Sequence, residues 1–163
     1  MEKDPKMRHI SWKEYGNIAS ALAKNIKAGG NRYDLVIGIA RGGIPVALVV
    51  ADELGVRIDI INIKSYTEIA VRHRPKIIST LTAVIEGKRL LIVDDLVEEG
   101  KTLNTVIKYL ERMHPSAMHT AVLFKKPWSK VEPDFYLKTT DRWIVFPWDR
   151  GEMKRLDRMR RRA

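Results

Sequence analysis

Apolar residues along the chain follow two alternating rhythms. Behind Ser11-Trp12-Lys13-Glu14, a serine N-cap with glutamate at N3, Tyr15, Ile18, Ala19, Leu22, Ala23 and Ile26 recur at helical spacing until Gly29-Gly30. This predicts an amphipathic helix over 11–28. Residues 34–40, 56–64, 90–93 and 117–124 are short, continuous, largely β-branched apolar runs, the pattern of buried strands. Helical periods separate them: residues 44–54, closed by Gly55, and 102–113, with Leu103, Val106, Ile107 and Leu110 on one face. Residues 77–85 alternate well enough for a further strand, antiparallel to its neighbour, and Glu86-Gly87-Lys88 turns into the run at 90. Short β-like runs follow at 135–137 and 143–146. Only residues 65–76, rich in charge (Arg72, His73, Arg74, Lys76), show no period and read as a mobile loop. Strands alternating with helices predict an α/β fold with a mainly parallel central sheet flanked by helices.

At 163 residues the chain is long enough for one domain with a substantial core. With 45% hydrophobic and 31% charged residues, no membrane-length apolar run and no signal-type start, the expectation is a soluble, cytoplasmic protein away from membranes. The absence of cysteine excludes disulfides and thiolate metal sites. The four histidines lack metal-ligand spacing. The net charge of +10 narrows the partners to anions, either nucleic acid or phosphorylated small molecules. Much of that charge lies in Lys154, Arg155, Arg158, Arg160, Arg161 and Arg162, a solvated terminal face or an arm for nucleic acid.

Candidate chemistry gathers at the ends of strands. After residues 90–93 come Asp94-Asp95, a short loop with Gly100, and a helix opening at Thr102. Loop amides at a helix start suit a phosphate, and paired carboxylates suit a divalent cation or sugar hydroxyls. Arg41-Gly42-Gly43 repeats that logic after residues 34–40: glycines let a ligand reach backbone amides, and the guanidinium offers a fork of donors. In parallel sheets ligands sit at the carboxyl ends of strands, where all of these residues fall.

Together these pieces resemble a type I phosphoribosyltransferase, closest to the xanthine-guanine and hypoxanthine-guanine (6-oxopurine) enzymes. The likeness covers roughly residues 10–150. Residues 93–102 resemble the phosphoribosyl-pyrophosphate motif, usually Asp-Asp-x-x-Asp-Thr-Gly-x-Thr. Ala40-Arg41-Gly42-Gly43 is similar to the pyrophosphate loop, and Ser65-Tyr66 to the start of the closing loop. Phe124-Lys125-Lys126-Pro127 with residues 143–149 looks like the purine site. The resemblance implies one phosphoribosyltransferase domain over 1–163. Its core would span about 30–126, with a small C-terminal purine-site hood at about 127–150 joined by helix 11–28, and a basic tail at 151–163.

The resemblance also implies roles. Asp94 and Asp95 would hold the ribose hydroxyls, directly or through Mg2+. Glu98, Glu99, Gly100, Lys101 and Thr102 would cradle the 5'-phosphate. Arg41, Gly42 and Gly43 would face the pyrophosphate, with a cis peptide before Arg41. Lys126 would donate to the purine 6-oxygen, Trp143 would stack on the ring, the Ile144 backbone would read the 2-position, and Asp149 would help place a second Mg2+. Glu98 stands where the family has an aspartate near purine N7, in the catalytic set with Asp94 and Asp95. The implied reaction joins phosphoribosyl pyrophosphate to hypoxanthine, guanine or xanthine in a homodimer or homotetramer. The alternative is a non-catalytic sensor on this fold that binds phosphoribosyl pyrophosphate or nucleotide, and nucleic acid.

The residues leave three choices open. Glu99 replaces a phosphate-binding threonine, and like charges 4 Å apart repel by about 4 kcal/mol at an effective dielectric of 20. It must point outward, pair with Lys101 or another cation, or weaken phosphate binding. Lys125 competes with Lys126 for the base, and Trp143 could be a core tryptophan.

Overall fold

The structure, a computed structural model, describes residues 7–64, 67–68, 71–72, 75–149 and 151. In chain order the elements are β1 (Met7–His9), α1 (Trp12–Ala28), β2 (Leu35–Ala40), α2 (Gly43–Leu54), β3 (Arg57–Lys64), β4 (Thr67–Glu68), β5 (Val71–Arg72), β6 (Lys76–Ile77), β7 (Arg89–Val97), α3 (Lys101–Glu111), β8 (Ala117–Lys125), β9 (Phe135–Thr139) and β10 (Trp143–Val145), with a final 3-10 turn at Pro147–Asp149. Six strands form the central sheet in the order β6-β3-β2-β7-β8-β9, parallel except for β6 at one edge. This is the mainly parallel, helix-flanked sheet that the alternation of periods predicts. Within the hood segment, β9 adds the sixth strand to that sheet, while β10 pairs in parallel with β1 outside it.

Alternation along the strands divides the core in two. Val36, Leu91, Val93, Ala121 and Leu123 point to one face, where α1 supplies Leu22 and Ile26, α2 supplies Val46 and Val50, and the hood supplies Ile144 and Phe146. Ile37, Ile39, Leu90, Ile92 and Val122 point to the other, beneath Leu103, Val106 and Leu110 of α3. At roughly 1.5–3 kcal/mol for each fully buried large aliphatic side chain, these two layers fix the strand ends in space.

Helix ends follow the local chemistry. Ser11 Oγ accepts the Glu14 amide at 3.1 Å, as the capping pattern requires, but the Glu14 carboxylate takes Arg8 at 2.6 Å and so ties α1 to β1. Gly55 ends α2 at φ 67°, a left-handed value natural to glycine.

Two expected elements differ. Residues 77–85 are not a strand beyond Ile77: Ile78 still donates to the Asn62 carbonyl at 2.9 Å, but further on the amides turn to a side chain instead of a ladder. Asp59 accepts the Thr82 and Ala83 amides at 2.8 and 2.9 Å, and Ser79 Oγ accepts the Asn62 amide at 2.7 Å. Within the expected loop, β4 and β5 pair in antiparallel fashion.

Burial alone would raise the Asp59 pKa, but amide bonds from Ala83, Ile60 and Thr82 and the Thr82 hydroxyl hold it below the usual carboxylate range. A depressed carboxylate stabilises the fold above its unfolded pKa and loses that contribution as pH falls through the folded value. Asp59→Ala is therefore expected to cost about 2–3 kcal/mol at neutral pH, because buried amides lose their acceptor. Urea unfolding of the two proteins should show curves that converge below about pH 4.

Candidate functional site

The chain reverses direction across the sheet between β2 and β7. From β2 it passes through α2 to β3 on one side, and from β7 through α3 to β8 on the other. Such a switch point leaves a crevice at the carboxyl ends of the two strands. The β2–β7 ladder stops at Gly38 and Val93, whereas the β7–β8 ladder runs on to Val97 and Lys125. Asp94 and Asp95 thus lie inside a strand rather than after one. Their β2-side neighbour is the Arg41-Gly42-Gly43 turn, reached through a cis Ala40–Arg41 peptide.

That turn fits only as glycine. A Cβ on Gly42 would come within 2.0 Å of the Asp95 carboxylate, and one on Gly43 within 2.5 Å of the Val93 carbonyl. Two motifs about fifty residues apart in sequence therefore touch. Asp94 Oδ1 accepts the Asp95 amide at 2.9 Å. Burial, then the charge of Asp95, pushes the Asp94 carboxyl well above the usual range. Burial, then the charge of Asp149, pushes Asp95 up to about 6, with hydrogen bonds from Asp94 and nearby amides opposing. Asp149 also closes the 3-10 turn by accepting the Phe146 amide at 3.1 Å. Carboxylates packed this closely favour a shared proton or a cation between them.

A cavity of about 340 Å³ opens beside the pair, lined by Asp94, Glu98, Glu99, Gly100, Lys101 and Thr102 among others. Gly100 begins α3 at φ 85° and offers no side-chain cap, so the first amides of the helix face this space. A Cβ there would stand 2.4 Å from Val131 Cγ2. Gly100→Ala should cost about 2–4 kcal/mol from strain and overlap together, read as a lower midpoint in chemical denaturation. Glu99 makes an ion pair with Lys101, both side chains more than half exposed, which answers the choice left open by the sequence.

Across β8 the two lysines diverge. Lys125 pairs with Glu132 and lies 5.1 Å from the Tyr136 ring centroid. Lys126 is only 3% exposed; its Nζ donates to the Arg142 carbonyl and sits 5.4 Å from the Trp128 ring centroid. Burial lowers its pKa, while the charges of Glu98 and Asp141 oppose that shift. Trp143 follows Arg142 and is 45% exposed, which excludes a core role. The Ile144 backbone is held by the β1–β10 pairing opposite Arg8.

The structure therefore gathers Gly42, Gly43, Asp94, Asp95 and Asp149 at the crevice, Glu98 to Thr102 around its cavity, and Lys126 with Arg142 and Trp143 at the next strand end. Ser65 and Tyr66 lie outside the described residues, as does the basic tail beyond 151. Two contributors escape a reading by motif: Trp128 and the Arg142 carbonyl, both partners of Lys126. The Lys126-Pro127-Trp128 sequence carried a signal for the first, since a proline turn brings residue 128 back over 126. Among the described residues no group of three or more carboxylates or histidines closes on a metal-sized space. A magnesium ion, where one binds, typically takes one or two carboxylates with waters and ligand phosphates rather than a full protein cage.

Comparison with known proteins bears on this arrangement. The phosphoribosyl transferase domain profile matches residues 11–153. The chain is similar to a xanthine-guanine phosphoribosyltransferase of Cereibacter sphaeroides, 36% identical over 149 residues and 86% of each chain. Among solved structures it resembles a purine phosphoribosyltransferase from Pyrococcus horikoshii, at 33% identity and a TM-score of 0.78, covering 87% of this chain and 93% of that one. It also resembles the Helicobacter pylori xanthine-guanine-hypoxanthine phosphoribosyltransferase, at 26% identity and a TM-score of 0.74, covering 93% and 98%.

Proposed function

The chain belongs to the phosphoribosyl transferase domain family, and from that premise we propose that it transfers the 5-phosphoribosyl group from phosphoribosyl pyrophosphate to hypoxanthine, guanine or xanthine, releasing pyrophosphate. The observation that supports this best is the buried Lys126 ammonium one strand from the acidic pair, at the same end of the sheet. In this reading Lys126 is the donor for the purine 6-oxygen, and Asp94 and Asp95 on the next strand hold the ribose. The same donor opposes adenine, whose 6-amino group would meet it donor to donor.

In this reading the amides at the start of α3 hold the 5'-phosphate, and the turn at Arg41, Gly42 and Gly43 faces the pyrophosphate. Asp94 and Asp95, with Asp149 behind them, are the residues that would hold Mg2+, which when bound neutralises charge on the leaving pyrophosphate. The purine nitrogen forms a bond to C1 of the sugar as the bond from C1 to pyrophosphate oxygen breaks, and the electron pair leaves with pyrophosphate. The sugar passes through an oxocarbenium-like state stabilised by surrounding oxygens. Glu98 accepts the proton released by the purine, and Trp143 stacks on the base.

Pyrophosphate release in the presence of Mg2+ tests the reading. Release that depends on an added 6-oxopurine is expected; release independent of any base, or none with every base, would overturn it. Glu99 supplies a finer test. Restoring the hydroxyl with Glu99→Thr removes a carboxylate from the phosphate loop, so KM for phosphoribosyl pyrophosphate should fall roughly three- to tenfold. The thermal midpoint should barely move, because the pair with Lys101 is exposed.

A further inference from the structure

Next to the phosphate cavity, and sharing Pro75 and Lys101 with it, lies a groove of about 1580 Å³ between residues 75–80 and α3. It is larger than the 300–1,000 Å³ typical of a small-molecule site. Among the described residues, four cations line it (Lys76, Lys101, Lys108 and Arg112) and no carboxylate does. Lys101, Lys108 and Arg112 fall on the face of α3 opposite Leu103, Val106 and Leu110, and they span roughly 16 Å along its axis. Asn104 and Thr105 lie between them on the same face.

Of the four, Lys101 pairs with Glu99, as Arg8, Lys27, Arg89 and Lys125 pair with carboxylates on other faces. Among the described residues Lys76 and Lys108 have no carboxylate partner, and the Arg112 guanidinium instead lies 5.4 Å from the Tyr109 ring centroid. Unpaired like charges along one groove cost solvation and mutual repulsion unless an anion relieves them. The facing wall sets Ile77 and Ile78 beside Lys76, and Ile78 is 52% exposed. Cations along α3 and a partly apolar wall opposite, with one aromatic ring on α3, match a strand that carries phosphates along one edge and flat bases along the other. A bare polyphosphate would leave the apolar wall unused. A second copy of this chain presenting the same face would bring cation against cation.

We propose that this groove binds single-stranded nucleic acid, at a site separate from the residues assigned to phosphoribosyl transfer except for the shared Lys101. The test measures fluorescence anisotropy of a labelled twelve-nucleotide single-stranded RNA and its DNA counterpart with the full chain. Binding should weaken as salt rises, with a slope of log affinity on log salt near −2 to −3, from about −0.7 per phosphate neutralised by three or four cations. Lys108→Glu with Arg112→Glu should weaken binding at least tenfold. Lys13→Glu with Lys24→Glu on α1 makes the same change in net charge and should alter it less than twofold. Both double variants should turn over substrate at the wild-type rate. Equal losses from the two double variants would overturn the proposal, since attraction would then follow net charge alone. So would absence of binding, or displacement of the oligonucleotide by inorganic polyphosphate at equal phosphate concentration.

Discussion

Replacing Asp94 and Asp95 together with asparagine is expected to abolish nucleotide formation while making the ligand-free protein more stable. The loss of turnover should reach roughly a thousandfold or more, since the change removes the proposed ribose acceptors and the carboxylates proposed to hold the cation. The gain in stability follows from the pKa shifts. Burial and the charge of Asp149 hold Asp95 at about 6, and burial and Asp95 hold Asp94 well above its usual range. A carboxyl whose folded pKa lies above its unfolded one opposes folding when ionised. The cost is present above about pH 6 and is relieved as pH falls from there toward 4. Because the crevice still admits water, the neutral amides should recover only about 1–2 kcal/mol at pH 7.5, or roughly 3–6 °C in thermal midpoint. Asparagine is the right replacement because its carbonyl oxygen can still accept the amide of residue 95, as Asp94 does at 2.9 Å. Calorimetry of both proteins between pH 5 and 8 should show the difference shrinking toward the acid end. A double variant that is inactive and also less stable at pH 7.5 would mean that the pair is structural rather than poised for a cation.

Lys126→Met should separate base recognition from catalysis. The side chains are of similar length, so the aliphatic stem is kept while the ammonium, with its contact over the Trp128 ring, is lost. A charge-assisted hydrogen bond of about 1.5–3 kcal/mol corresponds to a ten- to hundredfold drop in kcat/KM for a 6-oxopurine. Adenine should lose nothing from the same change, so the preference for 6-oxopurines over adenine should shrink by that factor. Because Lys126 already carries a desolvation cost that lowers its pKa, the variant should keep or slightly exceed the wild-type thermal midpoint. Steady-state kinetics with each base, beside a melting curve, checks both halves.

Much of this arrangement could be read from residue patterns because each relevant pattern has a local cause. The apolar runs that became β2, β3, β7 and β8 are dictated by burial on both faces, and the stripe Leu103, Val106, Leu110 by burial on one. The glycines of the turn after β2 could be singled out because only a residue without a Cβ can stand against Asp95 and Val93. Features set by distant partners were not legible. β1 is three mostly polar residues whose strand character comes from pairing with β10, over a hundred positions away. The alternation at 77–85 mimics a strand, yet the Asp59 carboxylate takes its Thr82 and Ala83 amides, and its Ser79 side chain takes the Asn62 amide of β3. Polar Asp94 and Asp95 look like a strand end, but β8 continues beside them after β2 has turned away. The different settings of Lys125 and Lys126 come from Glu132 and Arg142, neither of which any spacing rule connects to them.

The most direct measurement is chromatographic identification of the mononucleotide formed from phosphoribosyl pyrophosphate, Mg2+ and each of hypoxanthine, guanine, xanthine and adenine. Wild-type protein is expected to form a nucleotide from at least one 6-oxopurine, with little or none from adenine, and the Asp94→Asn, Asp95→Asn protein to form none. Adenine as the favoured base, or equal product from the double variant, would contradict the account.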